Sequence, residues 1–330
     1  MAPRVFVTRP IPQQAQSLLD GKLDVEVWTQ QTAPPIRDRI ADLDGILTYG
    51  HEPVTAAMMD AAPRLKVIAN MGVGYDHIDV AAATARGISV GYTPGVLDET
   101  TADMAFALLL AAARNVVRGD RFIRDGKWIK YDPDLLWGAQ VHGATLGIVG
   151  LGRIGSAVAR RALGFGMRVL YHNRHRAPQL EEQLGVEYAS LADLLAQSDF
   201  VSIHTPLTPE THHLIGREEL SRMKRTAILV NTARGPVVDG SALYEALRDG
   251  VIVGAGLDVF EMEPIPAGDP LLALENVVLC PHLGSATEQT RTRMGLMAAE
   301  CVLAGVRGLP LPYPANPEVS AWQAPRGGRS

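Results

Sequence analysis

At 330 residues the chain exceeds what one hydrophobic core usually organises and suits two domains. With 47% hydrophobic and 20% charged residues it has globular composition, which excludes a disordered polymer. A formal net charge of −5 excludes a general attraction to nucleic acid or anionic lipid, and two cysteines, Cys280 and Cys301, exclude a disulfide framework or a CxxC pair.

In chain order, the opening MAPRVFVTRP reaches a strand-like run at once and carries no signal-peptide core. The longest apolar run, AFALLLAAA (105–113), is too short to span a bilayer, so no membrane partner and a cytoplasmic location are expected. Strand-like runs follow at RVFVT (4–8), DVEVW (24–28), GILTY (45–49), KVIAN (66–70) and ISVGY (88–92). Around GYTPGVLDET (91–100), Pro94 and Gly95 punctuate a turn, which marks a boundary. From Thr101 to Val117 neither Gly nor Pro interrupts a long helix that is apolar on most sides. It is expected to be buried between domains, the alternative being one more surface crossover helix.

A second series comprises TLGIVG (145–150), RVLYH (168–172), FVSIH (200–204), AILVN (227–231), GAGLDV (254–259) and VVLC (277–280). Helix-like segments lie between most of these runs, such as SALYEALRDG (241–250) with its glycine stop. Strand–helix alternation in two series predicts two α/β domains, each a doubly wound parallel sheet. The tail from Leu309, rich in Pro, Gly and Arg, is expected to be extended or loose.

The strongest local signal is TLGIVGLGRIGSAVARRALGFG (145–166), with Gly150, Gly152 and Gly155 as GxGxxG between a strand and a helix. Gly150 permits a tight turn, Gly152 lets the backbone approach a pyrophosphate, and Gly155 lets the helix pack on its strand. The helix that follows places Ile154, Ala157, Val158, Ala162 and Phe165 on one face. At the end of the next strand, YHNRHR (171–176) offers Asn173, Arg174 and Arg176 where NAD would meet a carboxylate. Asn173 removes a repulsion, and the arginines supply donors for the 2′-phosphate of NADP. One or two charge-assisted bonds at roughly 1.5–3 kcal/mol each predict NADPH as the preferred coenzyme, with NADH weaker. The plain alternative is a solvated basic loop.

Three later segments carry ionisable residues just past apolar runs: NTARG with Arg234, LDVFEMEP with Asp258 and Glu263, and CPHLGSAT with His282. The carboxyl ends of strands line the ligand crevice in an open α/β sheet, so these residues can converge there. A histidine paired with a carboxylate suits hydride transfer to a carbonyl, with an arginine to hold a substrate carboxylate and polarise that carbonyl. Taken singly, the arginine and glutamate read equally as surface residues and the histidine as packing. A metal hydrolase on His204, His212 and His213 is disfavoured, because HTPLTPETHH reads as a loop without zinc spacing; no metal is expected.

GVGYDHID (72–79), GLGRIG (150–155), NTARGPVVD (231–239), GLDVFEMEP (256–264) and PHLGSAT (281–287) together resemble the signature blocks of the D-isomer-specific 2-hydroxyacid dehydrogenases. The resemblance runs in register from about residue 40 to 310 and is greatest to glyoxylate/hydroxypyruvate reductases, through TPGVLDETTADMAFALLL (93–110) and NRHR. It implies a flavodoxin-like substrate domain from 1–98 plus 286–320 and a Rossmann nucleotide domain from 99–285. A cleft would lie between them, with a tail at 321–330. It implies a catalytic set of Arg234, Glu263 and His282, in which His282 is the general acid and Glu263 raises its pKa. Backbone N–H groups of Val73 and Gly74 would receive the substrate carboxylate, with Arg234, His282 and Ser285 beside it. The pyrophosphate would rest on Gly152, Arg153 and Ile154. Pro206, Thr232, Asp258 and Gly284 would line the nicotinamide side. A homodimer joined through the nucleotide domain is implied as well.

One departure concerns KWIKYDPDLLWGAQ (127–140): Leu135 stands where close relatives usually carry a pocket tryptophan, and Trp137 follows two residues later. The substrate would be glyoxylate or hydroxypyruvate. The alternatives are another 2-keto acid or a non-enzymatic, cofactor-sensing relative. Phosphite oxidation, which uses a similar scaffold with NAD, is disfavoured by YHNRHR.

Overall fold

The apolar runs of the first series become β1 (Arg4–Val7), β2 (Asp24–Val27), β3 (Gly45–Thr48), β4 (Val67–Asn70) and β5 (Ser89–Gly91) in a computed structural model. It describes residues 2–30, 32–50 and 52–319, so the expected tail at 321–330 lies outside the described residues. All five strands are parallel in the order β2-β1-β3-β4-β5, the doubly wound order of flavodoxin-like sheets. β3 and β4 are buried along their whole length, which is why they read as unbroken apolar runs. The helix Glu288–Gly305 packs on β3 and β4 of this sheet, and its N-cap Thr287 accepts from Thr290 N–H. The chain divides into two compact units, one from Met1–Leu97 with Ala286–Ser330 and one from Asp98–Ser285.

The second unit holds β6 (Thr145–Val149), β7 (Arg168–His172), β8 (Glu187–Tyr188), β9 (Phe200–Ile203), β10 (Ile228–Asn231), β11 (Gly254–Leu257) and β12 (Val277–Leu279). They pair in parallel in the order β12-β11-β10-β9-β6-β7-β8. β6 is flanked by β7 on one side and β9 on the other, so the winding reverses at the β6/β9 junction. A crevice outside the carboxyl ends of strands at such a reversal is the general ligand position of open α/β sheets. The two-residue β8 is exposed on both residues and carries no apolar run that would signal a strand.

The long helix expected over 101–117 is two helices. Asp98–Ala113 packs on β10, β11 and the helix Arg153–Gly164 of its own unit. Asn115 then takes φ 54°, and the second helix, Val116–Arg124, leaves at a bend of 61°. Asparagine tolerates this left-handed conformation. Its amide donates to the carbonyls of Leu136 (3.3 Å) and Trp137 (3.1 Å), contacts that a helical continuation does not offer. No single helix among the described residues is long and apolar enough to cross a membrane.

Candidate active site

The glycine-rich turn sits at the β6/β9 reversal. Gly150 has φ +103°, and a Cβ there would lie 2.7 Å from the carbonyl carbon of His204, just past β9. Only glycine lets the two strand ends meet this closely. Gly152 is the N-cap of the helix Arg153–Gly164, which has neither a side-chain cap nor an acidic residue in its first turn. Space beyond the Gly152 α-carbon is open to 4 Å. The first turn of that helix, Arg153, Ile154 and Gly155, therefore offers N–H groups to an anion. Asn173 has a second duty that its place in the basic loop did not announce: its Oδ1 accepts from Leu151 N–H at 2.7 Å and braces the turn.

The arginines of the basic loop differ from each other. Arg174 is exposed and makes no hydrogen bond or ion pair among the described residues, although its charge is felt at Glu210. Arg176 donates through Nε and Nη2 to Glu181, at 2.8 and 2.7 Å. The motif alone presents both as uncommitted donors, whereas a carboxylate five residues on, past Ala177 and Pro178, already takes one edge of Arg176.

Four loops at the carboxyl ends of β9 to β12 carry the remaining candidates. The ladder continues past the strands: Asp258 N–H donates to Asn231 O at 3.0 Å, and His282 N–H donates to Asp258 O at 2.9 Å. Asn231, 1% exposed, donates through Nδ2 to Arg234 O at 2.9 Å and accepts from Ala233 N–H at 3.0 Å. It thereby shapes the turn that carries Arg234, whose Nη1 donates to Ala233 O at 2.9 Å. At Gly235 a Cβ would lie 1.9 Å from the carbonyl carbon of Phe260, so this loop rests directly on the one that leads to Glu263.

Glu263 closes the set. Its Oε1 accepts from Phe260 N–H at 3.0 Å, and its Oε2 lies 2.7 Å from His282 Nδ1. His282 has φ 54°, an uncommon conformation for a residue with a side chain and the kind of backbone strain that clusters at functional sites. Asp258 is buried, and it accepts from Leu283 N–H at 2.6 Å and from Gly284 N–H at 2.7 Å. Burial pushes its carboxyl up, against those two bonds. Asp258 therefore clamps the backbone just after His282, and it keeps lone pairs beyond those two bonds. Thr101 hydroxyl donates to Gly284 O at 3.3 Å, and Ser285 is half-buried at the end of this loop.

Past β9, desolvation holds the His204 imidazole down to about 3, and its Nε2 lies 2.8 Å from Ser202 Oγ. It is therefore neutral at working pH. Pro206, exposed, offers its carbonyl to Thr211 Oγ1 at 2.7 Å. His212 and His213 stack with ring centroids 4.0 Å apart, and no group of three metal-ligating side chains occurs among the described residues.

In the first unit, Val73 and Gly74 follow β4. Sequence reasoning missed the residue that shapes their loop. Asn70, 2% exposed, accepts from Thr48 Oγ1 at 3.2 Å and donates through Nδ2 to Gly72 O (3.1 Å) and Gly74 O (2.9 Å). The N–H groups of Val73 and Gly74 donate to no protein acceptor among the described residues. Each unit thus has a buried asparagine closing a strand and folding the next loop.

A family model described as D-isomer specific 2-hydroxyacid dehydrogenase, NAD binding domain, matches residues 106–284. The chain belongs to this family. A protein from Korarchaeum cryptofilum named glyoxylate reductase is 55% identical over 329 residues, covering 98% of this chain and 99% of its own length. A solved structure of the Thermus thermophilus protein TT0316 is 51% identical, with a TM-score of 0.89 over 94% of this chain and 99% of that one. A Sinorhizobium meliloti NADPH-dependent glyoxylate/hydroxypyruvate reductase, solved with NADP and malonate, is 35% identical with a TM-score of 0.85, covering 96% and 98% of the two chains. Like other D-2-hydroxyacid dehydrogenases, the protein is an NAD(P)-dependent oxidoreductase acting on a small 2-keto or 2-hydroxy acid.

The residues present fit a nicotinamide dinucleotide. The open space at Gly152 and the uncapped helix suit the pyrophosphate. Among the described residues, the hydroxyls of Thr205 and Thr232 and the Nδ1 of His204 are buried without a hydrogen-bond partner. All three lie just past β9 and β10, where polar groups of a bound molecule would satisfy them. In this dehydrogenase Asp258 has an additional structural task, which its assignment to the nicotinamide side did not foresee.

Proposed function

We propose that the protein reduces glyoxylate and hydroxypyruvate to glycolate and D-glycerate, with NADPH preferred over NADH. The observation that carries the chemistry is the 2.7 Å pairing of His282 Nδ1 with Glu263, beside a loop that presents Arg234. The names of the Korarchaeum and Sinorhizobium relatives support the substrates, and the uncommitted Arg174 supports the coenzyme.

A bound reduced nicotinamide supplies the hydride for the 2-keto carbon. His282, its Nδ1 committed to Glu263, delivers the proton to the carbonyl oxygen through Nε2. The Glu263 carboxylate stabilises the imidazolium that donates it. Arg234 holds the substrate carboxylate and polarises the carbonyl, assisted by Ser285. Gly152, Arg153, Ile154 and Gly155 receive the pyrophosphate. Asn173, Arg174 and Arg176 face the adenosine ribose, and Pro206, Thr232, Asp258 and Gly284 border the nicotinamide.

The deciding measurement is coenzyme oxidation, followed by absorbance, with glyoxylate, hydroxypyruvate and pyruvate, each with NADPH and NADH. Glyoxylate and hydroxypyruvate are expected to give the higher kcat/KM, and NADPH the lower Michaelis constant. Equal or better use of NADH overturns the coenzyme reading, and preference for a bulkier acid overturns the substrate reading. Turnover with none of them favours a coenzyme-sensing protein. Arg174→Asp is expected to raise the Michaelis constant for NADPH about ten- to hundredfold, the equivalent of one charge-assisted bond.

The assembly we infer is a homodimer joined through the nucleotide-binding unit, and its location the cytoplasm. Supporting the dimer, apolar side chains are exposed along one segment: Ile129 is 88%, Tyr131 81%, Trp137 77% and Trp128 57% accessible. Clusters of this kind mark protein–protein contacts in soluble proteins. Trp137, whose Nε1 donates to Pro133 O at 2.8 Å, is surface here, and a second copy would cover it. Ile129→Asp is expected to shift the wild-type dimer to monomer in light scattering coupled to gel filtration. A wild-type monomer at micromolar concentration would remove the assignment.

A further inference from the structure

The basic loop after β7 brings its own negative charge. Glu181 lies in the helix Pro178–Leu184, and its side chain is only 14% exposed. Oε1 accepts from the Tyr171 hydroxyl at 2.5 Å and from Arg176 Nε at 2.8 Å, while Oε2 accepts from Arg176 Nη2 at 2.7 Å. The Tyr171 hydroxyl accepts in turn from Ala177 N–H at 2.8 Å, so the carboxylate, the phenol and the loop backbone form one network. Tyr171 itself is fully buried in β7, which anchors the network to the sheet. Bonds from Arg176 first, and from Tyr171 second, hold the Glu181 carboxyl down to about 2, so it is ionised at any working pH.

A guanidinium presents two donor edges. Glu181 takes the Nε/Nη2 edge of Arg176 and offsets its charge. Arg174 has no such carboxylate partner among the described residues. A dianionic phosphate arriving at this loop therefore meets one cation with no bonded carboxylate and one already paired.

We propose that Glu181 is a coenzyme-selectivity residue: by occupying Arg176 it weakens the hold on a 2′-phosphate and keeps NAD(H) usable. This rests on the reading that residues 173–176 receive the adenosine 2′ end. The selectivity of the loop is then set by a ratio of charges that includes a residue outside it. Glu181→Gln keeps the shape and one oxygen that can accept from Tyr171 and Arg176 Nε, but it removes the charge and sets an amide donor against Arg176 Nη2.

Isothermal titration calorimetry with NADP+, NAD+ and the fragment 2′,5′-ADP reads this without turnover. Glu181→Gln is expected to tighten NADP+ and 2′,5′-ADP by about three- to tenfold and to leave NAD+ within about twofold. Tyr171→Phe removes a bond to Glu181 but not its charge, and is expected to leave the NADP+/NAD+ ratio unchanged. If Glu181→Gln does not move the ratio while Arg174→Ala and Arg176→Ala weaken NADP+, the inference is wrong and the loop reading stands. If neither arginine variant affects NADP+, the loop reading fails and takes the role of Glu181 with it. If Tyr171→Phe shifts the ratio as far as Glu181→Gln, loop position rather than charge sets it, and the proposal is overturned.

Discussion

Replacing His282 by glutamine is expected to lower kcat on glyoxylate by about 10²- to 10⁴-fold while coenzyme affinity stays within about twofold. A glutamine amide can still donate to Glu263 Oε2, now 2.7 Å from the imidazole, so loop geometry is largely retained. What it lacks is a proton to give at neutral pH. The backbone at this position is held independently of the ring, through His282 N–H to Asp258 O at 2.9 Å. Steady-state kinetics, with coenzyme titration by fluorescence, separate the two effects. Catalysis near the wild-type rate would mean that another group donates the proton.

Arg234→Gln is expected to lower kcat/KM for glyoxylate by about 10²- to 10³-fold, most of it through a higher KM, because the proposed charge-assisted pairing with the bound acid would be lost. Lysine restores the charge but not the planar fork, so Arg234→Lys should recover only part of the loss. Neither change is expected to unfold the turn. The Nδ2 of Asn231 donates to the backbone carbonyl of residue 234 and not to its side chain, and Gly235 stays seated on Phe260. Thermal melts of both variants check that point. A KM unchanged in Arg234→Gln would mean that the substrate carboxylate is held elsewhere.

The strands were legible because a parallel strand buried on both faces has to be apolar without interruption, and KVIAN and AILVN show it plainly. β8 escaped because its two exposed residues carry neither burial nor period. The helix break at Asn115 was illegible for a different reason. A window of good helix formers cannot reveal that the amide of one asparagine finds its acceptors at residues 136 and 137.

At the site, polar residues directly after apolar runs pointed to Arg234, Glu263 and His282 because parallel strands deliver their ends to one edge. The 2.7 Å meeting of Glu263 with His282 depends on the path of two loops and has no local signature. The supporting residues were visible but unread. Asn70 and Asn231 each end an apolar run, where a polar side chain is either exposed or obliged to bond a neighbouring loop. The pairing of Arg176 went unread because its partner lies beyond a proline, outside the motif that drew attention to it.

The seating of Gly235 on the backbone of Phe260 has an evolutionary corollary. Peptide planes in direct contact leave no room for any side chain at Gly235, so neither loop can be re-aimed there without displacing the other. Arginine and glutamate are thereby inherited as one rigid fixture. New acceptors for the enzyme would have to arise by changing residues that border this fixture, leaving the junction itself frozen while the range of acids drifts around it.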